Sequence, residues 1–256
     1  MRRPTLATPG SEVVSTSSLP CAGPPSATPG GVDLFADDPI LPADPDGLEV
    51  LHDREHRVRA YRRSDDLLMI RGAVRDQKPP GLYLEVDPDP LTIHHMQIEL
   101  DVTFPALEIV RAEVEFLTYP NETCGGITEH YEKLVGLSIA RGFTHRVREL
   151  FGGPRGCAHT TALLQAMAPV AVQCFWSMQA SSARRTGAGT TDALTSTPSR
   201  ASWQMNVDTC HVWASDGEHV AEVEAGGALS VPVFLRDRLD RLGIDPESSN
   251  SRIRGG

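Results

Sequence analysis

The sequence predicts an α+β domain: an antiparallel three-stranded sheet covered by helices, with two extra C-terminal strands. Three observations lead there. Residues 92–104 alternate strictly, with His94, Met96, Ile98, Leu100 and Val102 on one face and His95, Gln97, Glu99 and Asp101 on the other. A period of two with one wet face marks an antiparallel sheet half covered by helices. After Pro120 the apolar spacing becomes helical. Strands grouped before helices give an α+β rather than an alternating fold.

The elements follow in chain order. Residues 1–45 are rich in Pro, Ser, Thr, Ala and Gly without any period, which reads as a disordered arm. Residues 67–75 read as the first strand and 92–104 as the second, and Pro105 marks a turn. Residues 107–118 give a third strand, with Val110, Ala112, Val114 and Phe116 opposite Glu113 and Glu115. Ile127, Tyr131, Leu134, Val135 and Ser138 then follow helical spacing, closed by Gly142 as a left-handed cap. A short helix is expected from Thr144, a good N-cap, to Phe151, where Gly152 and Gly153 stop it. Gly156 leads into a longer helix with Leu163, Leu164, Met167, Val170, Ala171, Cys174 and Phe175 as apolar positions and a kink at Pro169. The segment 181–202 holds one leucine and no other large aliphatic, which predicts a long loop. Residues 203–213 and 218–224 look like two more strands, 232–242 like an amphipathic helix, and 245–256 like a frayed tail. These boundaries give one domain over 46–244.

Bulk properties narrow the function. A chain of 256 residues, 40% of them hydrophobic, can bury one sizeable core. The net charge of -10 argues against general phosphate-neutralising binding of nucleic acid and against anionic membranes. No run approaches the ~18 apolar residues of a spanning helix, and the start MRRPTLATPGSEVV lacks the apolar stretch of a signal peptide. Five cysteines, an odd number in a long chain, fit a reducing compartment better than a disulfide framework, so a cytoplasmic location is expected.

The chemistry therefore falls to cysteine and histidine. Cys157 and His159 stand at the predicted start of the long helix, where free N–H groups and the helix dipole favour a thiolate. Cys124 also precedes a predicted helix, beside glycines. Alternation places His94 on the apolar face, where a ring nitrogen needs a partner, and His95 on the wet face. Cys210 and His211 are adjacent on a predicted strand, so at most one could join such a site. The arginines of residues 54–63 and of 141–155 read as solvated faces, with binding of an acidic substrate or of a partner's acidic patch as the alternative. No phosphate-binding glycine loop, nucleophile elbow or HExxH helix is present.

The order of these parts resembles a known domain. HHM with its alternating strand, a strand leading to Cys124, LVGLSIARGFTHRV over 134–147 and GGPRGCAHTTALL over 152–164 resemble an uncharacterised bacterial family, the domain of unknown function numbered 2889, over about residues 65–225. A more distant likeness is to the U-type iron–sulfur cluster assembly scaffolds, three antiparallel strands followed by helices. Matching Met96 to the methionine after their first motif puts their aspartate at His94, their second cysteine at Cys124 and their third at Cys157. Thr92 stands where they carry their first cysteine, so the likeness implies a metal pocket with a changed task.

The leading expectation is a metal-dependent enzyme of lyase or hydrolase type acting on a small organic molecule. His94, Cys124 and Cys157 would hold zinc or iron, with His159 as a fourth ligand or as general acid/base. Two other readings stay open: a non-catalytic metal or iron–sulfur carrier with a protein partner, and a metal-free ligand- or partner-binding domain.

Overall fold

A computed structural model describes residues 40–186, 203–226 and 232–244. Contacts divide the chain into Met1–Leu48 and Glu49–Gly256. Of the first unit the described part, 40–48, is exposed throughout. The arm expected over 1–45 lies almost wholly outside the described residues, as do the tail from 245 and most of the loop expected over 181–202.

The second unit is built on a sheet of four antiparallel strands in the order β1-β2-β3-β4, not three: β1 Asp53–Arg62, β2 Leu67–Lys78, β3 Leu91–Thr103 and β4 Ile109–Thr118. The strand missed in the sequence is β1, the arginine-rich stretch read as a solvated face. Its apolar contribution to the core is Val58 and Ala60. A charged strand with so few apolar positions is how a sheet edge is protected from pairing with another chain. The alternation expected on β3 holds, and Met96, Ile98, Leu100 and Val102 are fully buried. On β4 the pairing slips by one residue at Asp101/Val102, which turns Ile109 inward and leaves Val110 exposed, against the face expected for it. The other sheet face is polar; there Arg71 and Arg111 bond Glu99.

After β4 the chain makes successive 3-10 turns over Glu122–Leu134 rather than the α-helix expected to run to Gly142. Tyr131 and Leu134 still point into the core. Gly142 is left-handed (φ 64°), but it precedes the next helix, α1 (Phe143–Phe151), which starts one residue before the expected Thr144 cap. Helix α2 (Ala158–Arg185) is 28 residues long and continues through Pro169. It takes Ser181–Arg185 into the helix instead of the loop, tied down where the Arg62 guanidinium donates to the Met178 carbonyl and the Ser182 hydroxyl, each at 2.8 Å.

The two extra C-terminal strands do not form. Residues 204–206 and 211–213 are 3-10 turns, and Glu218–Glu224 is an α-helix, α3. The apolar residues Val220 and Val223 are three apart, a helical spacing that puts them on opposite faces of a strand. Helix α4, Val233–Leu242, is the expected amphipathic helix, with Leu239 buried. Among the described residues no helix is long and apolar enough to cross a membrane.

The core lies between the sheet and α2, which packs against β1, β2 and β3. Its axis comes close because β2 offers no side chain at Gly72: a Cβ there would stand 2.8 Å from Met167 Sδ and 3.1 Å from a Leu163 methyl. Both neighbours are fully buried. Gly72→Ala is expected to destabilise the fold by about 1–3 kcal/mol through overpacking. It should lower the urea midpoint at constant m-value; an unchanged midpoint would mean α2 is not seated this closely.

Candidate metal centre

The strand register assembles one row of functional groups across the sheet. Arg54 on β1 pairs with Asp76 on β2, and Asp76 with His94 on β3. Alternation sets all three on the covered face, in line with Leu68, Ile70, Val74 and Met96. The ladder slips by one residue between Asp76 and Gln77 and again between His95 and Met96. Such bulges bend a strand and re-aim its side chains, and they are frequent beside active sites.

Helix α2 brings the fourth group. Cys157 caps it in extended conformation, and the Cys157 N–H donates to the Tyr131 hydroxyl at 2.8 Å. Tyr131 is itself fixed by stacking on Phe151, with ring centroids 4.7 Å apart. Gly156 permits this approach: a Cβ there would lie 2.5 Å from the Phe151 carbonyl oxygen. The first turn then carries His159 onto the row.

Asp76, only 1% exposed, is the hub. The Arg54 guanidinium donates to it through two nitrogens, at 2.5 Å to Oδ1 and 2.6 Å to Oδ2. His159 Nε2 lies 3.0 Å and His94 Nδ1 3.2 Å from the same Oδ2, and His52 Nε2 is 3.4 Å from Oδ1. The two imidazoles stack at 4.0 Å. His94 Nδ1, although buried and close to the carboxylate, is not aligned for a hydrogen bond with any group. Ligand atoms of Asp76, His94 and His159 all lie within 4.8 Å of one another. Two imidazole nitrogens and a carboxylate oxygen form a donor set that zinc and non-haem iron accept.

The electrostatics follow from this packing. The Arg54 guanidinium bonded to Asp76 holds its carboxyl well below the usual carboxylate range. Burial pushes the His159 imidazole down from its ordinary value, and the adjacent His94 pushes the same way. A neutral imidazole is the form that binds a metal.

The structure thus brings together two of the four residues expected from sequence, His94 and His159. Cys157 stands at the far edge of the His159 ring, with Sγ 3.7 Å from Nδ1. Cys124 lies in the first 3-10 turn, its N–H bonded to the Asn121 carbonyl, and is outside the cluster found among the described residues. Cys210 and His211 are exposed in another 3-10 turn. His95 faces the polar side, 3.4 Å from the Gln97 amide. Sequence reasoning missed Asp76 and Arg54. The signal for Asp76 was present: it continues the parity of Leu68, Ile70 and Val74, one residue beyond where the strand was expected to end.

The class these features define is an uncharacterised α+β domain with a histidine–carboxylate cluster at one end of its sheet. Residues 52–173 match the model of the family described as "Protein of unknown function (DUF2889)". That stretch runs from His52 into α2, so it contains every group of the cluster. No curated protein and no solved structure matches the chain.

A depressed carboxyl pKa contributes stability that is present above the unfolded value, about 3.9, and lost as pH falls through the folded value. Asp76→Asn is therefore expected to destabilise the domain at neutral pH by about 1–3 kcal/mol, since Arg54 loses its charged partner. It should also flatten the acid limb of stability against pH. Urea titrations from pH 6 down to pH 2, which cover the fall below the unfolded value, check this; an acid limb as steep as the wild type's would contradict it.

Proposed function

We propose that this protein is a metal-dependent enzyme of lyase or hydrolase type whose ion, zinc or iron, is held by Asp76, His94 and His159, acting on a small organic molecule. The observation that carries the reading is His94 Nδ1: a buried ring nitrogen without an aligned hydrogen bond, converging with His159 Nε2 on one carboxylate oxygen. A buried polar atom of that kind is costly unless something binds it. Bound there, the ion would supply Lewis-acid polarisation of a substrate oxygen. The chain's own residues do the rest. Arg54 orients the Asp76 carboxylate, and Cys157 stands where it can accept a hydrogen bond from His159 Nδ1 and fix the ring's tautomer, the role that neighbours of metal-binding histidines play. The iron–sulfur carrier reading has less support, because iron–sulfur clusters are held chiefly by thiolates and, among the described residues, only Cys157 stands near these histidines.

A second reading rests on a different feature of the same residues. Cys157 Sγ, His159 and Asp76 form a string, 3.7 Å from sulfur to Nδ1 and 3.0 Å from Nε2 to Oδ2. That is the order of nucleophile, base and orienting carboxylate in thiol-dependent acyl transfer.

Metal analysis of protein purified without a histidine tag and without oxygen separates the two. Near-stoichiometric zinc or iron is expected, abolished in His94→Ala/His159→Ala and retained in Cys124→Ala. Metal-free wild-type protein would sink the first reading. The thiol reading then requires iodoacetamide to modify Cys157 faster than Cys124, with that advantage lost in His159→Ala.

Arg54→Gln is expected to weaken metal binding roughly 10- to 100-fold without unfolding the domain, since it frees the carboxylate it orients. Competition with a chelator of known affinity measures it, and unaltered affinity would remove Arg54 from the site.

A further inference from the structure

A cleft of about 600 Å³ lies along the middle of α2, closed by the start of α1 and by residues 206–213. Its size falls within the roughly 300–1,000 Å³ of small-molecule sites. It shares no residue with the cluster around Asp76. The α2 face that lines it recurs at helical spacing, from Gln165 through Pro169 and Gln173 to Trp176.

Three features of the lining specify an occupant. Trp176 and Trp213 offer indole surfaces on which a flat ring can stack. Gln165, Gln173 and Asn206 contribute carboxamides, which both donate and accept, while no Asp, Glu, Lys or Arg is among the described residues that line it. Finally, Pro169 sits inside the helix. It has no N–H, so the main-chain carbonyl of Gln165, four residues earlier, lacks the donor an α-helix would give it. Both residues line the cleft. A carbonyl deprived of its i+4 donor, on a helix face that also carries an indole, suits a ligand that brings an N–H group in the plane of an aromatic ring.

We propose that this cleft binds a neutral, planar nitrogen heterocycle bearing an N–H donor, a ligand of the nucleobase or nucleoside class, with the donor directed to the Gln165 carbonyl and the ring stacked on Trp176 or Trp213. The proposal is independent of the metal centre.

Adenosine is the probe, with N6,N6-dimethyladenosine as the analogue lacking the exocyclic donor, followed by quenching of tryptophan fluorescence on the full chain with and without chelator. Saturable adenosine binding is expected, with the dimethyl analogue weaker by about fivefold, the loss of one ordinary hydrogen bond. Pro169→Ala returns an N–H to the Gln165 carbonyl. It is expected to raise Tm, because proline in a helix interior is unfavourable, yet to weaken adenosine binding about fivefold and erase the discrimination against the analogue. Trp176→Ala, checked for an unchanged α-helical spectrum, should lose most of the affinity. Absence of saturable adenosine binding to the wild type, or a Pro169→Ala protein that binds both nucleosides as the wild type does, overturns the proposal. A change in affinity with the chelator would overturn the independence of the two sites.

Discussion

Everything distinctive about this domain follows from how closely α2 is laid on the sheet. The contact rests on Gly72, where the absence of a side chain lets Met167 and Leu163 settle against β2. Packing at that distance fixes the helix along its axis, because buried side chains interdigitate at crystal-like density. The N-terminal turn is thereby held over the row formed by Arg54, Asp76 and His94, and the opposite flank of the helix is left to form the wall of the cleft. One packing contact positions two sites about 15 Å apart along a helix, at 1.5 Å per residue from His159 to Pro169.

The cluster at the sheet end is an electrostatic problem with a local answer. A carboxylate as buried as Asp76 would be untenable alone. Arg54 supplies two charge-assisted hydrogen bonds and so keeps it ionised. Two imidazoles gathered on one oxygen of an already neutralised carboxylate are more than a structural ion pair requires. Their stacking confines both rings, and burial keeps His159 in the neutral form that binds metal. Preorganisation of this kind would favour a ligand set, since the rings would not have to be ordered on binding.

Much of the fold was legible from periodicity. The strand 92–104 announced its inward face through an unbroken alternation, and His94 followed from it. Amphipathic spacing likewise identified α2 and α4, and the stop at Gly152 and Gly153 identified α1. What was not legible had specific causes. The charged sequence of β1 hides it, because an edge strand on a half-covered sheet needs few apolar residues. In the segment 218–224 the two valines three apart fit a helix and not a strand, but a window of seven residues shows that spacing only once. The 3-10 turns of 122–134 turn Tyr131 and Leu134 inward as an α-helix would, but leave Val135, expected on the same face, exposed. For the site, looking only at cysteine and histidine overlooked a carboxylate on the core face. It also gave Cys124 a place that the register of the sheet does not provide. A buried aspartate among alternating aliphatics is a stronger sign of a site than a cysteine near a helix start.

The position of Arg54 bears on how the site is lost as well as how it is made. It belongs to β1, the outermost strand, which pairs on one side only and contributes little to the core. Opening in native proteins begins in such weakly buried edges, at free energies well below that of global unfolding. Each time β1 frays at this end, the Asp76 carboxylate loses its counter-charge while the rest of the sheet stays folded. Were an ion held here, its retention would be timed by the opening of one edge strand rather than by unfolding of the domain.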